Sequence, residues 1–580
     1  ALHHRLRSIL ALVAGRKSAA SEEATSLLQA PGPDLVVLDE GHRIKNVKSK
    51  QNEMLSRVAT RRRLILTGTP LQNNILEYHA MLSFIRPGLL GSEAEFRNRF
   101  ANPIGNALTA DASAADVRLS RQRMHVLHQI VTPFVHRRTS ELLRRELPPK
   151  YEVALCCRLS PLQRAMYTAY LHHLEASCEG RTGRSLLGGF AVMQQIFNHP
   201  STFYASLEQK EGGVKRGASS YDSMDDFVVS ESDESEDERS AKKRKAGKKG
   251  ERKAEGGKSK AASTVVEDDE EDDTVQGDGA TAAAWHEATQ EEADDAREDV
   301  SGKMMVLFGL LQATRRERTL LFTQSLHLLD LLERYLEARP RGRKDGYNWK
   351  RNRDFLRLDG STPQSHRQRL VHKFQDVSND VRLLIISTKA GNLGINLTAA
   401  TRVVLFDSSW NPSNDAQAIF RAWRFGQTRP VHVYRLLGTG TCEEKVFARQ
   451  ICKLGVTSGV CDDEQLVKTF SKAEVEDLWS LTDDLPIPVG MGELDPSLRF
   501  PQLESLLSHD PKLKSLLCSE GCGPWVTSVL AHDSLLEHDA EGELTAEERA
   551  EATATFKAEE RAKQVAEEEL KRRQAAAAAE

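Results

Sequence analysis

The segment QAIFRAWRFGQ, residues 417–427, is the most informative part of this chain. It places Arg421 and Arg424 three residues apart, between Gln417 and Gln427. Side chains three residues apart lie on the same face of a helix. We therefore expect one helix to present both guanidinium groups to a common anionic target. Such a pair suits the neutralisation of a phosphate in its transition state.

A second charged cluster follows an apolar run near the start of the chain. Residues 35–38 read as a buried strand, and Asp39, Glu40 and His42 come directly after it. Asp39 suits Mg²⁺ held mainly through water, because Mg²⁺ keeps most of its hydration shell. Glu40 suits a base that takes the proton of an attacking water. We expect His42 to lie between this site and the second lobe. An acidic helix start is the alternative, and the surrounding DEGHRIKN sequence disfavours it.

Apolar runs predict two α/β blocks. Residues 35–38 and 64–66 are continuous apolar runs, typical of a parallel sheet covered on both faces. Helical patterns separate most strands of the second block, as in a doubly wound sheet. Its predicted strands are residues 320–322, 355–358, 383–386, 403–406 and 431–434. With acidic residues in the first block and paired arginines in the second, the chain resembles a two-lobed, nucleic-acid-stimulated ATPase.

Composition divides the chain further. Acidic runs flank a basic run between residues 205 and 295, and the few apolar residues there predict a disordered insert. Within it, 242–245 reads either as a nuclear-import signal or as a solvated linker, and the insert could bind protein partners. Residues 545–580 predict one long solvated helix, a polar tail. The predicted segments are lobe one with a helical protrusion at 1–150, a helical connector at 151–204, the insert at 205–295, lobe two at 301–470 and a helical extension at 471–580.

Overall composition limits the class of protein. The formal net charge is −4, so any nucleic-acid surface must be local. Eight cysteines without paired spacing indicate a reducing compartment. The chain has no long apolar run, so we expect no membrane partner.

Three further loops are candidates for contact with a nucleic acid. Residues 67–74, TGTPLQNN, form a strand-to-helix corner whose Thr67 and Thr69 could couple a nucleotide site to a groove. Residues 387–396 are rich in glycine and hydroxyl groups, and their backbone amides suit phosphate oxygens. Trp410 reads either as a core residue or as a contact with the sugar-phosphate backbone.

Together these blocks resemble the Swi/Snf-type chromatin-remodelling ATPases, a branch of the superfamily-two helicases. The residues that carry the resemblance are LTGTPLQNN at 66–74, NHP at 198–200, SGK at 301–303, LDGST at 358–362, STKAGNLGIN at 387–396 and the segment 417–427. Finer features point to the ATRX-like subgroup. They are DEGH at 39–42, EFRNRF at 95–100 and FRAWRFGQT at 420–428.

The resemblance implies an α/β fold with two RecA-like lobes, the first of them incomplete. It implies ATP with Mg²⁺ as cofactors, double-stranded DNA and chromatin or nucleosomes as partners, a nuclear location, and activity in remodelling or DNA repair. Arg421 and Arg424 would be arginine fingers, and Gln427 and Gly394 would contact the nucleotide. The residues implied to lie near DNA are Thr67, Thr69, Thr388, Lys389, Asn392 and Trp410.

One family motif has no match. A glycine-rich phosphate-binding loop should lie well upstream of Asp39, and none of the 38 residues before Asp39 fits it. We therefore expect an N-terminally truncated chain that hydrolyses no ATP alone, because that loop makes the main β/γ-phosphate contacts. Two alternatives stay open, an RNA helicase of the same superfamily and a non-catalytic isoform that binds DNA or partners.

Overall fold

The structure is a computed structural model, and it describes the greater part of the predicted lobes. The described residues are 32–44, 52, 55–56, 58–68, 75–107, 113–138, 141–177, 184–211, 286, 297–338, 349–391, 394–409, 411–447, 450, 481, 504–531 and 544–579. Most of the predicted insert therefore lies outside them. Residues 205–211 of the insert are described and belong to the helix Pro200–Glu211, which corrects the prediction of disorder at its start. His286 is also described, and it is buried with its ring 5.3 Å from that of Phe203.

Helices and strands alternate through both blocks, as predicted. The strands are β1 Val36–Asp39, β2 Arg63–Leu66, β3 Lys150–Cys157, β4 Thr319–Thr323, β5 Phe355–Leu358, β6 Leu383–Ser387, β7 Arg402–Leu405, β8 Val431–Gly438 and β9 Val526–Ala531. The first eight helices are α1 Ile75–Ile85, α2 Glu93–Phe96, α3 Asn102–Asn106, α4 Ala114–Val131, α5 Glu141–Glu146, α6 Pro161–Ser177, α7 Arg184–Asn198 and α8 Pro200–Glu211. The others are α9 Gly302–Ala313, α10 Leu326–Ala338, α11 Gln364–Gln375, α12 Thr388–Gly391, α13 Pro412–Ile419, α14 Glu504–His509, α15 Pro511–Leu517 and α16 Ala546–Ala579.

The first sheet pairs β1 with β2 in parallel, and Asp39 lies opposite Leu66. Val36 and Ile65 turn toward a helical core, whereas Val37 and Leu64 are each 49% exposed. The predicted cover on both faces is thus not seen among the described residues. An apolar run cannot show which face is covered, and the described helices pack against one face only.

A helical protrusion follows the first sheet, at residues 93–131. It consists of α2, a π-helical turn at Arg97–Ala101, α3 and α4. Capping boxes start α2 and α4, where Ser92 and Ser113 accept bonds from the backbone amides three residues on. Its apolar side chains join the core that covers β1 and β2.

The second sheet has seven strands in the order β5-β6-β4-β7-β8-β3-β9. All pairs are parallel except β3 with β9. Every residue of β4, β6, β7 and β8 is buried, as expected of strands covered on both sides. Two apolar cores lie against the sheet, one including α9 and α10 and the other including residues of α11 and α13. The predicted doubly wound α/β fold is confirmed.

Two strands of this sheet come from outside residues 301–470. β3 opens the predicted helical connector, and β9 lies in the predicted helical extension. Both therefore extend lobe two beyond the expected boundaries. No helix among the described residues is long and apolar enough to cross a bilayer.

Candidate active site and nucleic-acid interface

The acidic pair lies on a tight turn at the carboxyl end of β1. Glu40 has φ 54°, a left-handed conformation that is uncommon for a residue other than glycine. Gly41 follows, and a Cβ there would lie 2.1 Å from Ile65 Cγ2 of the neighbouring strand. Gly41 thus lets the turn press against β2, and the turn holds Glu40 in a strained conformation. Strain of this kind clusters at functional sites.

The geometry of Asp39 fits a hydrated cation. Its carboxylate is exposed at the sheet edge, where Oδ1 accepts a hydrogen bond from Glu40 N at 3.0 Å. Asp39 pairs with Leu66 of β2, and Thr67 is the next residue, so Thr67 lies at the same edge of the sheet as Asp39. Among the described residues no group of three or more His, Cys, Asp or Glu could hold a metal. Mg²⁺ is often held by one or two carboxylates together with nucleotide phosphates, so the exposed Asp39 carboxylate is compatible with the magnesium role predicted for it.

The arginine pair does not lie on a helix, which corrects the sequence prediction. Helix α13 ends at Ile419, and the backbone then turns through residues 420–426. Bonds of i to i−3 type, such as Arg421 N to Ala418 O at 3.2 Å, tighten this exit. Gly426 has φ 101° and directs the chain toward β8. The helical period of the segment therefore stops before its two arginines.

Buried contacts fix this arginine loop, residues 420–427. Trp423 is 3% exposed, and its indole Nε1 donates to the Pro148 carbonyl at 2.8 Å. Gln427 Nε2 donates to the carbonyls of Thr398, Ala400 and Ala422 at 2.9–3.1 Å. Its Oε1 accepts bonds from two backbone amides. These bonds hold the Gln427 amide against neighbouring segments and fix the end of the loop, and the nucleotide contact expected of Gln427 stays a prediction.

Electrostatics couples the arginine loop to the acidic turn. Burial lowers the pKa of the Arg421 guanidinium, and the Arg424 charge lowers it further. Glu40 acts in the opposite direction and raises it. A residue of lobe one and a residue of lobe two therefore lie within electrostatic reach of each other.

A buried lysine joins segments that are far apart in the chain. Lys303 Nζ lies 2.6 Å from a carboxylate oxygen of Glu443, and both side chains are 1% exposed. Lys303 also donates to Asn198 Oδ1 and to the Phe406 carbonyl, each at 3.0 Å. A buried charge is tolerated when it is paired and hydrogen-bonded, as this one is. The lysine thereby connects α7, α9 and the end of β7.

Asp407 carries the network to the end of β4. Its carboxylate accepts bonds from Thr323 Oγ1 at 2.6 Å and Gln324 N at 2.9 Å. Asn198 Nδ2 donates to it at 3.3 Å. Burial raises the pKa of Asp407 to about 6, although these bonds and the Lys303 charge lower it. The ends of β4 and β7 are thus held together from within.

A second buried network supports the helix that leads to the arginine loop. Arg435 of β8 donates to Glu152 of β3 and to Asp415 of α13, both at 2.7 Å. All three side chains are buried. Burial raises the pKa of Asp415 to about 7, which the Arg435 charge partly offsets. Because Asp415 lies on α13, the network fixes the start of the arginine loop relative to the sheet.

The predicted DNA and nucleotide contacts are spread over several loops. Thr67 is half-buried at the end of β2, and Thr388 is 8% exposed at the start of α12. Gly394 is exposed with φ 58°, in a segment whose Leu397 amide bonds the Arg421 carbonyl at 2.9 Å. The residues Thr69, Asn392 and Trp410 lie outside the described part of the chain, as do the side chains of His42 and Lys389.

Sequence reasoning missed the two buried networks. Lys303 stands alone among apolar residues in GKMMVLFGLL, which is the signal that could have identified a buried charge. Its partner Glu443 is 140 residues away, and no spacing rule connects the two. Asn198 and Lys303 were recognised as parts of motifs but were given no chemistry.

Comparisons with known proteins identify two domains in this chain. Residues 18–202 match the SNF2-related domain, and residues 302–426 match the helicase conserved C-terminal domain. The chain is 41% identical to transcriptional regulator ATRX of Homo sapiens over 91% of this chain and 23% of that protein. It is 35% identical to helicase ARIP4 of Xenopus tropicalis over 92% of this chain and 38% of that protein. It thus spans less than two fifths of these curated relatives.

Solved structures are also similar. The Sulfolobus solfataricus SWI2/SNF2 ATPase core in complex with dsDNA is 24% identical, with a TM-score of 0.34, over 77% of this chain and 73% of that one. The two matched domains cover the acidic turn and the arginine loop, each in its own lobe. The expected resemblance to the ATRX-like subgroup is confirmed by the similarity to ATRX and ARIP4. The chain belongs to the SNF2-related family.

Proposed function

We propose that the protein is an ATP-dependent double-stranded DNA translocase that remodels chromatin or other protein–DNA complexes. The observation that carries the proposal is the presence of an acidic turn in the matched SNF2-related domain and of an arginine loop in the matched helicase C-terminal domain. Glu40 of the turn also lies near enough to Arg421 of the loop to raise its pKa. A site shared between two lobes is completed only when the lobes approach each other. ATP binding and release can therefore drive a cycle of lobe movement along DNA.

Within this site each residue has a proposed part. Asp39 would hold Mg²⁺ through water, and bound Mg²⁺ would neutralise phosphate charge. Glu40 would accept the proton of the attacking water. Arg421 and Arg424 would stabilise the charge that develops on the transferred phosphoryl group. The loop contacts of Trp423 support this role, since a fixed backbone holds the guanidinium groups in place.

DNA contact is proposed for the loops at the carboxyl ends of the strands. These are the positions where open α/β sheets bind ligands. Thr67 and Thr69 of lobe one and Thr388, Lys389, Asn392 and Trp410 of lobe two would lie along the phosphate backbone. A nucleus and chromatin are the corresponding location and partner, and DNA repair is one proposed setting.

The proposal is tested by ATP hydrolysis in the protein extended at its N-terminus by a phosphate-binding segment. Duplex DNA should stimulate hydrolysis far more than RNA of the same length. Glu40→Gln keeps the shape of the side chain and removes the base. That variant should bind ATP and duplex DNA normally while turnover is lost. Stimulation by RNA but not by DNA would contradict the translocase, and normal turnover in Glu40→Gln would remove Glu40 as the base.

A further inference from the structure

We propose that the helical protrusion of lobe one carries a docking groove for an acidic amphipathic helix, and that the chain's own α16 fills it reversibly. The protrusion groove is formed by Arg99, Phe100, Arg118, Arg123 and Gln129. Helix α16 was expected to be a solvated tail. Its first half instead packs on α4 and on the π-helical turn, far from the acidic turn and the arginine loop in the sequence.

One aromatic ring forms the apolar centre of the contact. Phe556 of α16 is 5% exposed, and its ring centroid lies 5.6 Å from that of Phe100. The Arg99 guanidinium lies 4.1 Å above the same ring, and that of Arg123 lies 6.0 Å away. Cations over an aromatic face are attracted to it. Ala552, one turn earlier in α16, is also buried, in the same apolar core that covers β1 and β2.

Charge pairs surround this ring and fix the orientation of α16. Arg123 makes two parallel bonds to Glu559, at 2.9 and 3.0 Å. Arg118 pairs with Glu548 near the start of the helix. Further along α16 the signs are exchanged: the helix supplies the basic residue, Lys563, which lies 2.6 Å from Glu95 of the protrusion. The groove therefore favours a helix with acidic residues on both sides of an aromatic residue and a basic residue beyond them.

The contact is weak enough to open. The paired side chains are partly exposed, at 40% for Glu559 and 61% for Arg118. Each exposed ion pair shifts a docking equilibrium by a factor of about 1.5 to 5 and is screened by salt. Burial of one phenyl ring contributes a factor of about 10 to 100. Beyond Phe556, the described side chains of α16 are exposed.

Covalent connection keeps this weak contact formed. Strand β9 anchors the C-terminal extension in the sheet of lobe two, and α16 begins 15 residues later. A short tether raises the effective concentration of a docking segment to the millimolar range. Docked α16 therefore links lobe two to lobe one, and an acidic amphipathic helix supplied in trans is the kind of partner that can replace it.

Hydrogen exchange of the full chain tests whether α16 is docked. Phe556→Ala should raise amide exchange about tenfold or more in residues 97–106 and in the first half of α16. Val565→Ala is the matched control, because Val565 is 63% exposed on the same helix, and it should change nothing. Equal exchange in all three proteins would overturn the docking.

Charge exchange tests the ion pairs separately. Arg123→Glu alone should raise exchange in the same segments, and it should do so less in 0.5 M salt, where the native pair is already screened. Combining Arg123→Glu with Glu559→Arg should return exchange toward the native value. A double variant no better protected than Arg123→Glu would show that this pair does not hold α16.

A labelled peptide with the sequence of residues 544–566 tests whether the groove is exchangeable. It should bind the Phe556→Ala, Glu559→Arg chain, whose own helix is released, at least tenfold more tightly than the native chain. Adding Arg118→Glu to that chain should weaken binding at low salt, because Arg118 pairs with Glu548, which the peptide retains. Failure to bind the released chain, or equal binding to both chains, would contradict a reversible groove.

Discussion

Replacing Lys303 by methionine would test the buried network that joins the parts of lobe two. The substitution removes the ammonium group and keeps most of the side-chain volume. Glu443 would stay 1% exposed with no cation beside it, although the Gly438 and Ser408 amides still donate to its carboxylate at 2.8 and 3.2 Å. Removing one partner of a buried ion pair costs about 3–5 kcal/mol. We expect lobe two to lose stability by that amount.

Native-state hydrogen exchange measures this loss where it occurs. Amides of the central strands β4 and β6 exchange only through large-scale opening. A loss of about 3–5 kcal/mol corresponds to roughly 10²- to 10⁴-fold faster exchange, at 1.36 kcal/mol per factor of ten. Arg573→Met is the control, because its pair with Glu569 is 78% and 65% exposed. Exposed pairs contribute about 0–1 kcal/mol.

A double variant separates the ion pair from simple packing. Lys303→Met with Glu443→Gln leaves neither charge buried, so it should be more stable than Lys303→Met alone. A Lys303→Met protein that exchanges like Arg573→Met would show that the Lys303–Glu443 pair contributes nothing to the stability of lobe two. So would a double variant whose loss equals the sum of the single losses, since independent effects add.

Two further predictions concern the acidic turn and a buried histidine. Gly41→Ala should destabilise the first sheet by about 1–3 kcal/mol, because the new methyl group meets Ile65 at 2.1 Å; exchange in β1 and β2 measures it. Burial lowers the pKa of His199 to about 4, where its Nδ1 accepts a bond from Ser201 N. Between pH 6.5 and pH 4 the His199 imidazole is protonated in the unfolded chain but stays neutral in the folded chain. The free energy of unfolding should therefore decrease by up to about 3 kcal/mol as the pH is lowered through this range. His199→Gln should flatten that part of the unfolding profile, and an unchanged slope would exclude His199 as its source.

The strands of lobe two were predictable because each is a buried apolar run. Four of the five predicted runs lie wholly within an observed strand, and the other overruns its strand by one residue, at Phe406. The sequence of β9 is VTSVLA, and its Thr and Ser interrupt the apolar run by which the other strands were predicted. Its position is set by pairing with β3, a contact between residues nearly 400 apart in the chain. Such pairing is a property of the tertiary structure.

The geometry of the candidate site was only partly predictable. Arg421 and Arg424 were identified from spacing, yet the helix that the spacing implied ends at Ile419. The loop forms because Trp423 and Gln427 bond carbonyls of other segments. No local pattern encodes those acceptors. Similarly, the docking of α16 depends on opposite charges on α16 and on the protrusion. From composition alone, we expected α16 to be exposed to solvent.

We propose that Arg421 and Arg424 complete a nucleotide site together with Asp39 and Glu40. The most direct measurement is single-turnover ATP hydrolysis with saturating duplex DNA in the protein extended by a phosphate-binding segment, comparing Arg421→Ala and Arg424→Ala with the unmodified protein. Each variant should hydrolyse ATP about 10³-fold more slowly, as loss of an arginine finger does, while ATP affinity changes much less. Near-normal hydrolysis in both variants would contradict the account.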